Sequence, residues 1–109
     1  MIPKQQTLYL YRGATSTIEF DFSQFNFEPN SKCVFTMTTL CGEIVKEIEF
    51  NQSKKYIVVF KDDETCNYVN NKYIYTIMYH VDEERYPQCS DSDIIVESIR
   101  GNYEPINHD

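Results

Sequence analysis

Residues 70–81 read Asn-Asn-Lys-Tyr-Ile-Tyr-Thr-Ile-Met-Tyr-His-Val, and this stretch decides the fold class of the chain. In an extended strand, successive side chains point to opposite faces, so every second residue shares a face. Both faces are apolar enough to be covered, which predicts a central strand of a sheet and not an edge strand. The two asparagines favour a turn before the strand, and the charged residues 82–85 favour an exposed loop after it. One face holds Tyr73, Tyr75, Ile77, Tyr79 and Val81, and the other holds Ile74, Thr76, Met78 and His80.

The composition favours a small all-β domain. The chain has 109 residues, with nine Tyr, seven Phe and no Trp. This length suits one domain with one core, and aromatic residues are enriched in strands. We predict a single domain over residues 1–99 and a polar tail over residues 100–109.

The charge and the hydropathy argue against two classes of partner. The formal net charge is −7, with no cluster of Lys and Arg. Because phosphate binding requires such a cluster, nucleic acid is not expected as a partner. No segment approaches the roughly 18 apolar residues of a membrane helix, and residues 1–6 lack the apolar centre of a signal peptide. We therefore expect neither a membrane partner nor export.

The four cysteines are predicted to be free thiols. No Cys-x-x-Cys pair occurs among Cys33, Cys41, Cys66 and Cys89, so the spacing does not favour a zinc site. An even number permits two disulfides, but free thiols are the usual state in a chain that is not exported. We expect Cys33 to be a small core residue and Cys41 to lie in a turn.

Other segments give further strands by their alternation and turn signals. The clearest is Thr15–Phe22, in which Ile18, Phe20 and Phe22 share one face and polar residues the other. Phe25 and Phe27 are predicted to pack the following loop on the end of the core. The remaining predicted elements are strands at 5–11, 56–60 (a fully buried strand), 85–89 and 94–99, a break at 90–93, and a helical turn within 61–67.

Two strands, 32–40 and 43–50, are predicted to form a hairpin around Cys41-Gly42. A two-residue loop that ends in Gly suits a type I′ turn and fixes the register. One face then becomes mainly apolar, as a buried face requires. Lys46 is the exception, and it either reaches past the sheet edge or indicates a longer loop. The predicted pairs are Cys33–Phe50, Phe35–Ile48, Met37–Lys46 and Thr39–Ile44 on one face, and Val34–Glu49, Thr36–Glu47 and Thr38–Val45 on the other.

About seven or eight short strands predict an all-β fold, an antiparallel two-sheet immunoglobulin-like β-sandwich. Catalysis by a nucleophile requires a neighbouring base, and the only histidines are His80, in the central strand, and His108, in the tail. The pair Asp91 and Asp93 could ligate calcium, but its spacing is shorter than that of a dedicated loop. We therefore predict no enzyme activity, no cofactor and no metal.

The order of several short motifs resembles a known family. The chain is similar to the immunoglobulin-like domain that opens phage baseplate upper proteins, and to small immunoglobulin-like tail proteins of prophages. Ala14 and Asn71 depart from the pattern, which usually has an acid and a Gly there. The motifs are Arg12-Gly13, the strand 15–22, Asp63-Glu64-Thr65, Lys72-Tyr73-Ile74-Tyr75-Thr76-Ile77 and Ile94-Ile95-Val96.

The resemblance implies a structural or assembly protein of a phage or prophage tail or baseplate. It implies synthesis in the host cytoplasm, incorporation in the virion, and contacts with other virion proteins or with further copies of the chain. The alternation in the first strand suits either a strand covered on both faces or an edge strand, and we take residues 7–11 as the candidate edge, which exposes Tyr9 and Tyr11 for such contacts. The alternative is an extracellular immunoglobulin-like module that binds carbohydrate or a host protein, which a signal peptide on a longer precursor or intramolecular disulfides would favour.

Overall fold

The computed structural model describes residues 6–98, and within them the chain is almost entirely β-structure. The predicted all-β class is confirmed. The predicted polar tail, 100–109, lies outside the described residues. The elements in chain order are β1 (Leu8–Arg12), β2 (Ser16–Asp21), β3 (Lys32–Thr38), β4 (Ile44–Phe50), β5 (Lys55–Phe60), α1 (Asp62–Thr65), β6 (Lys72–Val81) and β7 (Glu84–Ser98).

The described strands form a five-stranded sheet in the order β1-β7-β6-β3-β4 and a two-stranded ribbon of β2 and β5. The central position predicted for β6 is confirmed. The purely antiparallel arrangement is wrong, because β1 pairs with β7 in parallel and makes the larger sheet mixed. Alternation of side chains is the same in both pairings, so the sequence pattern did not distinguish them. No helix in this part of the chain is long and apolar enough to cross a membrane.

The ribbon packs its apolar face on the larger sheet through phenylalanine rings. Phe20 of β2 lies 5.3 Å from Phe35 and 5.4 Å from Phe50, measured between ring centroids. Phe22 lies 4.9 Å from Phe50. All four side chains are buried, and each burial contributes roughly 1.5–3 kcal/mol relative to exposure. The face predicted for the second strand is thus confirmed.

The loop after β2 closes one end of the core, as predicted. The rings of Phe25 and Phe27 lie 4.7 Å apart, and Phe25 lies 4.9 Å from Tyr79 of β6. Both rings are partly buried against the core.

The two faces of β6 differ in burial. Tyr73, Tyr75 and Ile77 are buried in the core, as predicted. The expectation that the second face is also covered is wrong, since Thr76 and Met78 are partly exposed. In the described part of the chain no second layer covers this side of the sheet, and these side chains are shielded only by their neighbours on it.

The predicted hairpin register is confirmed from Cys33–Phe50 to Met37–Lys46 and is wrong beyond this point. A bulge after Met37 places Thr38 opposite Ile44. The predicted two-residue turn is wrong for the same reason: the loop extends from Thr39 to Glu43 and is closed by the Thr39 amide on the Glu43 carbonyl at 2.9 Å. Gly42 has a φ of +95°, which only Gly adopts without strain.

Two other predictions are corrected. β5 is not fully buried, because it alternates, and Ile57 and Val59 are 61% and 43% exposed. It lies in a ribbon with only one covered face. The break expected at 90–93 is absent, because β7 is one continuous strand. Irregularities in its pairing with β6, around Ile77, accommodate the residues that had indicated a break.

Candidate interaction surface

The first strand, β1, forms one edge of the larger sheet and divides its side chains between core and solvent. Leu8 and Leu10 are 7% and 0% exposed, whereas Tyr9 and Tyr11 are 56% and 44% exposed. β7 lies on one side of β1, and no strand of the described residues lies on the other. The edge position expected for this strand, and the exposure of both tyrosines, are therefore as predicted. We call this strand with its two tyrosines the β1 edge.

The N-terminal end of β1 is fixed by a buried tyrosine. The Tyr75 hydroxyl donates to the Gln6 carbonyl at 2.8 Å. Burial raises the pKa of Tyr75 to about 12, because a buried phenolate would lose its hydration. The main chain before β1 is thus tied to the centre of the sheet.

The C-terminal end of β1 is fixed by Arg12. Its guanidinium donates from Nε to the Tyr68 carbonyl at 2.8 Å and from Nη2 to the Asn70 carbonyl at 3.1 Å. Nη1 donates to the Ser98 hydroxyl at 3.0 Å. One side chain therefore joins the end of β1 to the loop before β6 and to the end of β7.

Thr65 holds the turn that follows. Its side chain is 0% exposed, and its Oγ1 accepts from the Gly13 amide at 3.1 Å and donates to the Ala14 carbonyl at 2.9 Å. Two motifs of the family resemblance, Arg12-Gly13 and Asp63-Glu64-Thr65, thus meet in space although they are about 50 residues apart. We call the contacts of Arg12 and Thr65 the anchor contacts. Their role in the structure is to position β1.

A second polar cluster lies between β4 and α1. Glu64 Oε2 accepts from Lys46 Nζ at 2.7 Å and from the Tyr68 hydroxyl at 2.5 Å. Burial raises the pKa of Glu64, but the hydrogen bonds from Lys46 and Tyr68 outweigh it and leave the pKa lowered. Burial and the adjacent carboxylate raise the pKa of Tyr68. Lys46 also lies 4.8 Å from the Phe60 ring, which explains a cation on the otherwise apolar face of the hairpin.

Among the residues considered for chemistry, those that the structure describes are not brought together in a catalytic arrangement. His80 is partly exposed on β6. Cys33 and Cys89 are buried, and Cys41 and Cys66 are exposed; Cys66 Sγ donates to the Asp63 carbonyl at 3.3 Å and not to a base. Among the described residues no three His, Cys, Asp or Glu side chains are placed to hold a metal ion. His108 and the Asp91 side chain lie outside the described part.

Sequence reasoning missed the anchor contacts and the Lys46–Glu64–Tyr68 cluster. The sequence signal for the anchor contacts was an Arg directly before the Gly of a turn. The signal for the charge cluster was a single cation, Lys46, on an otherwise apolar strand face. Neither signal identifies the residues that are contacted, because those residues lie on elements distant in sequence. No protein-family model matches the chain, and a search of curated proteins finds no match, so the surface is defined by its geometry.

Proposed function

We propose that this chain is a non-enzymatic assembly module of a phage or prophage tail or baseplate. It docks through the β1 edge on other virion proteins or on further copies of itself. The observation that carries this proposal is the open edge of β1, with Tyr9 and Tyr11 exposed and both ends of the strand fixed.

The main chain of β1 supplies the first set of contacts that we propose for docking. An edge strand presents backbone N–H and C=O groups that a strand of another protein can pair with. Tyrosine side chains add a large contact area for a small loss of side-chain entropy. Because Arg12 and Tyr75 already fix the strand, little further ordering is required on docking. An edge prepared in this way is suited to strand addition.

We further propose that the fold is an immunoglobulin-like sandwich. The order β4-β3-β6-β7 corresponds to strands C′-C-F-G of such domains, and the β2–β5 ribbon corresponds to strands B and E. Tyr73, at the start of β6, is 3% exposed, and its hydroxyl accepts from the Asn70 amide at 3.2 Å. This contact resembles the tyrosine corner of immunoglobulin-like folds. The similarity to the opening domain of phage baseplate upper proteins supports the tail or baseplate role.

The proposal is tested with the double variant Tyr9→Lys/Tyr11→Lys, because Lys on an edge strand opposes pairing. The matched control is Tyr86→Lys, since Tyr86 lies on β7 with 46% exposure. Sedimentation velocity measures self-association, and mass spectrometry of purified tail particles measures incorporation. We expect the double variant to keep the parent's circular dichroism and thermal midpoint but to lose assembly, whereas the control assembles. If the double variant is folded and assembles like the parent, docking through the β1 edge is refuted. If purified tail particles do not contain the chain, the virion role is refuted.

A further inference from the structure

The outer face of the five-stranded sheet, opposite the ribbon, carries a row of three basic side chains. Lys32 on β3 lies opposite His80 on β6, and His80 lies opposite Arg85 on β7. The three residues therefore occupy one line across three adjacent strands, in a protein whose formal net charge is −7. All three line a single groove of about 350 Å³, which we call the outer groove.

The positive charge in this row is only partly neutralised. Lys32 Nζ lies 2.9 Å from Glu49 Oε2. Arg85 makes no ion pair with the side chains that the structure describes, whose ion pairs are Lys32–Glu49, Lys46–Glu64, Lys55–Glu19 and Lys72–Asp93. The Arg85 guanidinium therefore has no charged partner among the described side chains, and an anion beside Arg85 and His80 would accept the charge-assisted hydrogen bonds that this guanidinium can donate.

The remaining walls of the groove restrict the ligand. Val34 and Met78 lie side by side on β3 and β6. Because Val34 is only 7% exposed, the partly exposed Met78 supplies most of the apolar surface of the groove. Glu47 and Glu49 line the groove from β4. Their carboxylates repel a polyanion such as a nucleic acid, whereas a single carboxylate can bind at the opposite, basic side. An apolar side chain next to that carboxylate would then contact Val34 and Met78.

We infer that the outer groove binds a peptide segment of a partner protein, in which one carboxylate contacts Arg85 and His80 and a neighbouring apolar side chain packs on Met78, beside Val34. This surface is separate from the β1 edge, because it is formed by β3, β4, β6 and the first residues of β7. The inference therefore goes beyond the proposed docking edge and can fail or hold independently of it.

The experiment is a titration of the ¹⁵N-labelled full chain at low ionic strength, followed by amide chemical shifts. The probes are N-acetyl-Leu-Glu amide, its neutral analogue N-acetyl-Leu-Gln amide, and inorganic phosphate. We expect the Glu probe to shift the amide signals of Val34, Met78 and Arg85 in a saturable way. The Gln probe should bind about fivefold more weakly, the factor that one partly exposed ion pair provides.

Two variants assign the effect to the basic row. Arg85→Gln should weaken binding of the Glu probe until its affinity equals that of the Gln probe for the parent chain. Lys55→Gln removes the same charge from an exposed position on the ribbon and should leave binding unchanged. Undisturbed spectra elsewhere show that each variant is folded. The inference is overturned by the absence of saturable shifts at the groove, by equal binding of the two dipeptides, or by phosphate binding as tightly as the Glu probe, which would indicate a generic anion site.

Discussion

Replacing Thr65 with Val tests whether the anchor contacts stabilise the fold. Thr65 is 0% exposed, and its hydroxyl bonds the Gly13 amide at 3.1 Å and the Ala14 carbonyl at 2.9 Å. Val preserves the shape of the side chain but removes both hydrogen bonds. Leaving a buried polar group unsatisfied costs about 1–3 kcal/mol. Because Gly13 and Ala14 are only partly buried, water can restore part of this loss, and we expect a total cost of about 1–3 kcal/mol.

Urea unfolding followed by circular dichroism measures this cost. For a small domain the slope of the unfolding free energy is about 1–3 kcal/mol/M, so the midpoint should fall by about 1 M at constant slope. Thr65→Ser is the matched control, since it keeps the hydroxyl and loses one methyl group, worth about 0.8 kcal/mol. The Val variant should therefore be the less stable of the two. A Val variant as stable as the parent, or more stable than the Ser variant, would refute the structural role of these hydrogen bonds.

Three further predictions concern the core, the charge cluster and the thiols. Ile77→Ala should lower the free energy of unfolding in urea by roughly 2–5 kcal/mol, because Ile77 is fully buried. The control Ile57→Ala should lower it by less than about 0.5 kcal/mol. Equal losses in the two variants would contradict the face assignment. Since the pKa of Glu64 is lowered from 4.5, the stability from its carboxylate is present above this value and lost as the pH falls through the lowered pKa. Glu64→Gln should therefore lower the urea midpoint more at pH 7 than in acid, and a difference that grows in acid would contradict it. Burial raises the pKa of Cys33 to about 12. A thiol reagent should therefore modify the exposed Cys41 first and Cys33 only on unfolding, as followed by mass spectrometry of the protein. Early modification of the Cys33 thiol would contradict its burial.

The sequence predicted those features that depend on neighbouring residues. The alternation of Tyr73, Tyr75 and Ile77 identified the buried face of β6, and Phe20 and Phe22 identified that of β2. The hairpin register was correct over five pairs, from Cys33–Phe50 to Met37–Lys46. Each of these signals lies within one strand or one tight turn, where side-chain period and turn chemistry act directly.

Features that depend on distant elements were not predictable in this way. The parallel pairing of β1 with β7 joins residues about 86 positions apart, and a strand pattern does not specify the direction of its partner. The bulge after Met37 changed the hairpin loop because one extra residue can be accommodated without altering the apolar pattern before it. The exposure of Ile57 was missed because a short apolar run does not show whether one face or both are covered.

The two candidate surfaces show the same difference between features set by neighbouring residues and features set by distant elements. The exposure of Tyr9 and Tyr11 at an edge followed from alternation and position in the chain, while their role in docking stays a prediction. The basic row of the outer groove was not visible in the sequence, because it requires two registers at once, β3 with β6 and β6 with β7. Arg85 and His80 are close in sequence, but Lys32 is about 50 residues away.

Amide hydrogen exchange of the β1 edge, compared between the isolated chain and its assembled state, tests docking through this strand most directly. Outward-facing amides of β1 are available for exchange when no strand covers them, and pairing with a partner strand protects them. We predict that protection within Leu8–Arg12 rises at least about tenfold on assembly, while protection within Ile44–Phe50, the opposite edge of the sheet, does not change. Assembly that leaves β1 exchange unchanged, or that protects β4 in its place, would contradict docking through the β1 edge.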